Sequence, residues 1–296
     1  MIVDFHTHTF PDTLAGRAVH KLAKSANARN YLDGTTASLL ASMQEAGVDY
    51  SVLLPVVTRP SQQTHVNQNA SVIHDLYRTK GLVSFGGIHP DNENYASILR
   101  SLAARGIPGI KLHPVYQQTP VDDIRFLRII SCACEQDLVV LIHAGYDISM
   151  PGQDYASVSR LVSMLDTLHP GKMVLAHMGG WGCWEIAERE LVGRDIWLDT
   201  SFCLLPICPM VPDRPHPGSL PEHPLLDRER FLRMVRSHGP ERILFGTDSP
   251  WSSQQASIAC LRTSGLTQAE LAAILGANAA SLLGLPPQAS SGPKVS

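Results

Sequence analysis

His6 and His8 stand two residues apart at the end of a short apolar run, MIVDFHTH, at the head of a 296-residue chain. In an extended strand that spacing sends both imidazoles to one side and Thr7 to the other. Three more groups follow runs of the same character: His143 after LVVLI, His177 after MVLA, and Asp248 after ILFGT. Imidazoles with a carboxylate suit zinc, iron or a related divalent ion, whereas an all-oxygen set would suit magnesium or calcium. A metal with an open coordination position lowers the pKa of its water, and a carboxylate beside it can take that water's proton. Asp248 is the candidate base. Each histidine alone reads equally well as a hydrogen-bonded structural residue; five such groups at strand ends do not.

Groups from four distant segments meet only if their strands share one end. Eight short runs fit that demand: Ile2–Phe5, Ser51–Val57, Leu82–Ile88, Gly109–Leu112, Leu138–Ile142, Met173–Ala176, Ile196–Asp199 and Ile243–Gly246. Between them lie stretches of helical spacing, such as Leu39, Leu40, Met43 and Ala46, or Ile124, Leu127, Ile130 and Cys134. Parallel strands need crossovers, and helices usually supply them. Eight units close a (β/α)8 barrel, an α/β fold of the TIM type, whose catalytic groups sit at the C-terminal ends of its strands. An open, doubly wound sheet is the alternative, ranked lower because polar residues end most of the runs. One domain over residues 1–285 is expected, closed by a helix whose Thr267 and Glu270 have capping-box spacing, with a Pro/Ser-rich tail at 286–296.

Composition narrows the function. The formal net charge is −3 and no basic patch stands out, which argues against nucleic acid or a membrane surface as a partner. The N-terminal stretch lacks the features of a signal peptide, and no apolar run approaches the length of a membrane span, so a cytoplasmic location is expected. Six cysteines lie scattered without a CxxC pair, in keeping with reduced thiols. Neither a GxSxG elbow nor a nucleotide-binding glycine loop is present, so serine-nucleophile and nucleotide chemistry lack support.

The chain resembles the amidohydrolase superfamily, in particular the amidohydrolase-related branch that also holds metal-dependent decarboxylases. The matching pieces are VDFHTH at 3–8, GIHP at 87–90, GIKLHP at 109–114, VLIHAG at 140–145, VLAHMGG at 174–180, LFGTDSPW at 244–251 and NAASLLGL at 278–285. The resemblance implies that His6, His8, His143 and Asp248 bind the principal metal, taken as one zinc. His177 would bind a second metal or hydrogen-bond the attacking water. Lys111 resembles the lysine that is carboxylated and bridges two metals in binuclear members such as dihydroorotases, and His113 shares its face. The branch more often uses one metal, and Lys111 is then an unmodified cation beside the site. A homodimer is implied by the habits of related barrels.

The expected reaction is hydrolysis of a small amide, lactone or ester, with non-oxidative decarboxylation of an aromatic or unsaturated acid as the alternative. A catalytically silent metal-binding relative is a third reading. Further candidates surround the centre. Asp4, two residues before His6, is placed to orient a ligand histidine. His89, Tyr116, Tyr146, Trp181 and Trp251 follow strands and are candidate pocket walls, with ordinary packing as the counter-reading. The segment 201–226 holds seven prolines, which rules out regular structure over most of it, and it is expected to cover the barrel mouth as a lid. His216 and His223 within it are expected at its solvent side.

Overall fold

A computed structural model describes residues 1–212 and 225–286. Among the described residues nine strands appear: β1 (Val3–Thr7), β2 (Tyr50–Leu53), β3 (Leu82–Ser84), β4 (Gly86–Gly87), β5 (Gly109–Leu112), β6 (Val139–Ile142), β7 (Met173–Leu175), β8 (Trp197–Asp199) and β9 (Ile243–Leu244). They answer to the eight expected runs, because β3 and β4 are halves of the third, parted at Phe85. That residue still donates its N–H to the Leu53 carbonyl at 2.9 Å. Every paired neighbour is parallel, in the order β1-β2-β3 and β4 through β9.

The ring closes between its first and last strands. Phe5 N–H donates to Phe245 O at 2.7 Å, Asp248 N–H to His6 O at 2.8 Å, and His8 N–H to Ser249 O at 2.7 Å. Thr7 and Ser249 form a parallel bridge beyond them. An open sheet has no such seam. The fold is therefore a closed α/β barrel, with helices such as Asp12–Ala26, Gln63–His74, Ile124–Glu135 and Arg228–His238 as crossovers.

Alternation along the strands sorts the core in two. Val139 and Leu141 of β6 join Val3, Phe5, Phe85 and Leu244 in a cluster built almost wholly from strand residues, which fills the barrel. Val140 and Ile142 face the other way and pack with helix residues such as Phe126 and Ile129. Position 143 continues the inner series of β6, and Lys111 and His113 alternate with Ile110 and Leu112, which belong to the outer core. The capping box of the late helix is present, with the Thr267 hydroxyl and Glu270 carboxylate each accepting the other's backbone N–H.

Candidate metal centre

Two backbone irregularities bring the site together. Simple alternation from Val3 and Phe5 would turn His6 outwards, but the β1–β2 register shifts between Asp4 and Thr7. A bulge of this kind re-aims a side chain. His6 thereby joins His8, with ring centroids 5.1 Å apart. His177 and Asp248 sit at φ 58° and 63°, a left-handed conformation that non-glycine residues adopt at a cost of about 1–3 kcal/mol and mostly at functional positions. Each ends its strand in a sharp turn.

Three donor atoms converge there. His8 Nε2 lies 3.0 Å from Asp248 Oδ1, and His6 Nε2 lies 3.5 Å from the same oxygen. The far side of each imidazole is already engaged. His8 Nδ1 stands 2.8 Å from the Leu54 carbonyl, and His6 Nδ1 stands 2.8 Å from Asp199 Oδ2. Because those partners accept, both Nδ1 atoms carry the proton, and both Nε2 lone pairs face a carboxylate oxygen. A shared cation would satisfy all three atoms at once, as the Lys111 ammonium beside His6 Nε2 does for one of them. Two imidazole nitrogens and a carboxylate oxygen thus fit a divalent transition metal.

The surrounding charges agree with a neutral imidazole at His6. Burial, helped by the nearby Lys111 ammonium, lowers His6 to about 3. Burial also brings Lys111 down to about 8; its Nζ stands 3.3 Å from His6 Nε2. For Asp248 and Asp199 burial acts upwards, yet hydrogen bonding and the facing imidazoles hold both carboxyls well below their usual range.

His143 and His177 form a second pair beside the trio. His143 Nε2 meets the Tyr146 carbonyl at 3.2 Å, and its Nδ1 lies 3.0 Å from His177 Nε2. The other nitrogen of His177 meets both the carbonyl and the hydroxyl of Ser201 at 2.9 Å. That hydroxyl also lies 3.0 Å from His6 Nδ1 and bonds closely to Asp199 Oδ1. Three of the five expected groups, His6, His143 and His177, therefore share one hydrogen-bonded network, and Asp248 touches it through His6 and links it to His8.

His113, His143 and Asp147 also lie near one another. Here the imidazoles of His113 and His143 stack, 4.1 Å apart and 11° from parallel. Lone pairs lie in the ring plane, so stacked rings cannot both aim at an ion between them. His113 is instead sandwiched against Tyr116 at 3.9 Å, with its Nδ1 taking the Tyr116 N–H and its Nε2 3.5 Å from Asp147 Oδ2. Asp147 follows β6, is buried, and is pushed upwards by that burial; nothing in the sequence reading picked it out.

Two expectations need correction. Asp4 does not reach an imidazole, though its carboxylate takes the His6 backbone N–H at 3.3 Å; its other partners are the Thr247 hydroxyl at 2.6 Å, the Thr247 N–H at 3.0 Å and the Gln254 amide at 2.8 Å. The register shift at β1 separates it from the face that His6 joins, and burial raises it to about 7. The carboxylate that orients His6 is Asp199. His89 is not a pocket wall either; its Nδ1 accepts the Asp91 N–H and its own N–H is held by Gln63 within the turn after β4. Asp199 and Ser201 were legible in principle, since the seventh run ends in aspartate as the others end in histidine.

A cavity of about 540 Å³ opens above the centre. Tyr116, Tyr146, Trp181 and Trp251 line it, along with Phe202 from the proline-rich segment. Trp181 Nε1 donates to the Phe202 carbonyl at 3.0 Å, and Ala28 and Pro209 form an antiparallel bridge, so the start of that segment lies across the mouth. His216 and His223 fall outside the described residues.

Residues 3–285 match the family model described as amidohydrolase. No curated protein matches the chain in sequence. Among solved structures, an uncharacterized TIM-barrel protein from Bordetella bronchiseptica is 16% identical, with TM-score 0.74 and coverage of 96% of this chain and 98% of that one. A protein assigned as a 2-pyrone-4,6-dicarboxylic acid hydrolase from Pseudomonas putida is 19% identical, with TM-score 0.63 over 96% and 97%. A dihydroxybenzoic acid decarboxylase from Polaromonas, solved with manganese and the inhibitor 2-nitroresorcinol, is 14% identical, with TM-score 0.66 over 96% and 97%. At these identities the likeness carries the fold. No described helix is long and apolar enough to cross a membrane.

Proposed function

This chain belongs to the amidohydrolase family, and from that premise we propose that it is a metal-dependent hydrolase of a small amide, lactone or ester. The carrying observation is the convergence of His6 Nε2, His8 Nε2 and Asp248 Oδ1, a donor set suited to one shared divalent ion. These three hold one divalent ion, with zinc the best match to the donor types, and His143 and His177 border it. When bound, the ion polarises a carbonyl and lowers the pKa of adjacent water.

The chain's own groups do the rest. Asp199 and the Leu54 carbonyl fix the imidazole tautomers, which keeps both Nε2 atoms free of protons. Asp248 takes the proton of the attacking water and delivers it to the leaving oxygen or nitrogen. The water oxygen bonds to the carbonyl carbon, and the acyl–oxygen or acyl–nitrogen bond breaks. His177, tied to His143 and Ser201, orients the water. Lys111 is an unmodified cation in this one-metal reading; carboxylated, it would bridge to a second ion.

Apolar walls favour a second reading on the same centre, non-oxidative decarboxylation of an aromatic or unsaturated acid. Removing a carboxylate from water raises its energy, and loss of carbon dioxide relieves it. Asp248 or His177 then supplies the proton for the substrate carbon. Two measurements decide. Asp248→Asn, with metal content shown to be retained, should lower turnover about 10²–10⁴-fold; near-normal turnover removes Asp248 as the base. Carbon dioxide release without net water uptake moves the enzyme to the decarboxylase reading.

A further inference from the structure

The cavity is wider than the reacting group needs, and its walls are one-sided. Phe10, Leu14, Leu22, Ala26 and Ala28 present an apolar surface carried mostly by the helix Asp12–Ala26. Gln62 and Asn69, spaced seven apart along the 3-10 turn and helix that follow β2, add neutral amides beside the apolar Val66. Among the described residues no arginine lines the cavity, and its one lysine, Lys111, is buried at the base beside His6. Apart from His65 at the mouth, the ionisable side chains of the lining lie at the metal centre or in the neighbouring Tyr116–Ser149 layer.

We propose that the site accepts a substrate with a single polar head at the metal centre and an uncharged, apolar body lying along Leu14, Leu22 and Ala26. This rests on the metal-centre reading of the preceding subsection and holds for either reaction considered there. About 540 Å³ lies in the range that encloses a drug-sized molecule, so the body is several carbons longer than a simple ring acid. A second carboxylate on that body would be buried without a cationic partner, and isolated buried charge is strongly disfavoured. Against the described lining a dicarboxylic substrate is disfavoured, whereas a hydroxyl or carbonyl near Gln62 or Asn69 is tolerated.

Calorimetric titration of the metal-loaded protein with acetate, octanoate and octanedioate tests this, since each can place a carboxylate at the centre and they differ in apolar body and second charge. Octanoate should bind about tenfold or more tighter than either of the others, because only it gains the apolar wall without a second charge. Leu22→Arg should reverse the preference between octanoate and octanedioate. Leu14→Lys repeats the test at a position that is 44% exposed and so tolerates charge without cost to folding. Octanedioate binding as tightly as octanoate, or no binding of octanoate at all, overturns the proposal. An octanoate preference that persists after the metal is chelated would count against the metal-centre reading while leaving the specificity intact.

Discussion

Asp199 Oδ2 stands 2.8 Å from His6 Nδ1, while the other oxygen of the same carboxylate holds the Ser201 hydroxyl and takes the His177 N–H at 3.0 Å. One buried carboxylate at the end of β8 thus sets both a donor of the trio and the histidine beside it.

Replacing Asp199 by asparagine removes the charge that keeps the His6 proton on Nδ1. Metal affinity should fall about 10–100-fold, the usual effect of losing such a partner. Chelator competition on the folded variant measures it. Unchanged affinity would mean that Asp199 only supports the backbone of the 177 and 201 turns.

Metal content itself is the most direct check. Wild-type protein purified without chelator should carry about one divalent ion per chain, and His6→Ala/His8→Ala none. Two ions in the wild type would place Lys111 in a bridging role. An ion retained by the double variant would relocate the centre.

Gly145 has φ 90° and lies against the backbone of Gly180 and Trp181, with which it forms a bridge. A Cβ there overlaps Trp181 N and Gly180 C, neither of which can rotate away. Gly145→Ala should destabilise the fold by about 2–4 kcal/mol in denaturant titration, by forcing apart the turns that carry His143 and His177. A change below about 0.5 kcal/mol would show that the two turns move independently.

A pH effect is expected far from the centre. His238 is buried, with Nε2 donating to Ile196 O at 2.9 Å and Nδ1 accepting the Gly193 N–H at 3.1 Å. Burial lowers its pKa from the ordinary 6.5. Unfolding below that pH therefore takes up a proton, so the contribution is complete above about pH 6.5 and is lost as pH falls towards the lowered folded value. His238→Gln keeps one donor and one acceptor but cannot titrate. Its stability should fall less steeply with acid than the wild type's, by up to about 1.4 kcal/mol per pH unit. Parallel slopes would refute a neutral buried His238.

The barrel was legible because its strands and polar strand ends recur in the sequence with a regular plan, and HxH with later single histidines follows from that plan alone. What remained hidden depends on departures from it. Alternation places Asp4 and His6 on one face, and only the shifted register shows that they part. Asp199 ends its strand like the others but lacks the histidine that drew attention to them. Asp147 lies in a loop, where spacing carries no direction. The stack of Tyr116, His113 and His143 joins two strand ends whose side-chain angles no periodicity encodes.

The seam between first and last strands has a bearing on assembly. His6 and His8 belong to one lip of that seam and Asp248 to the other, joined by the Asp248 N–H to His6 O bond. No shorter stretch of the chain contains the whole trio, so an N-terminal fragment offers an ion two imidazoles and nothing to neutralise it. If the trio holds the ion as proposed, tight loading would report a finished ring, with the last strand docked beside the first.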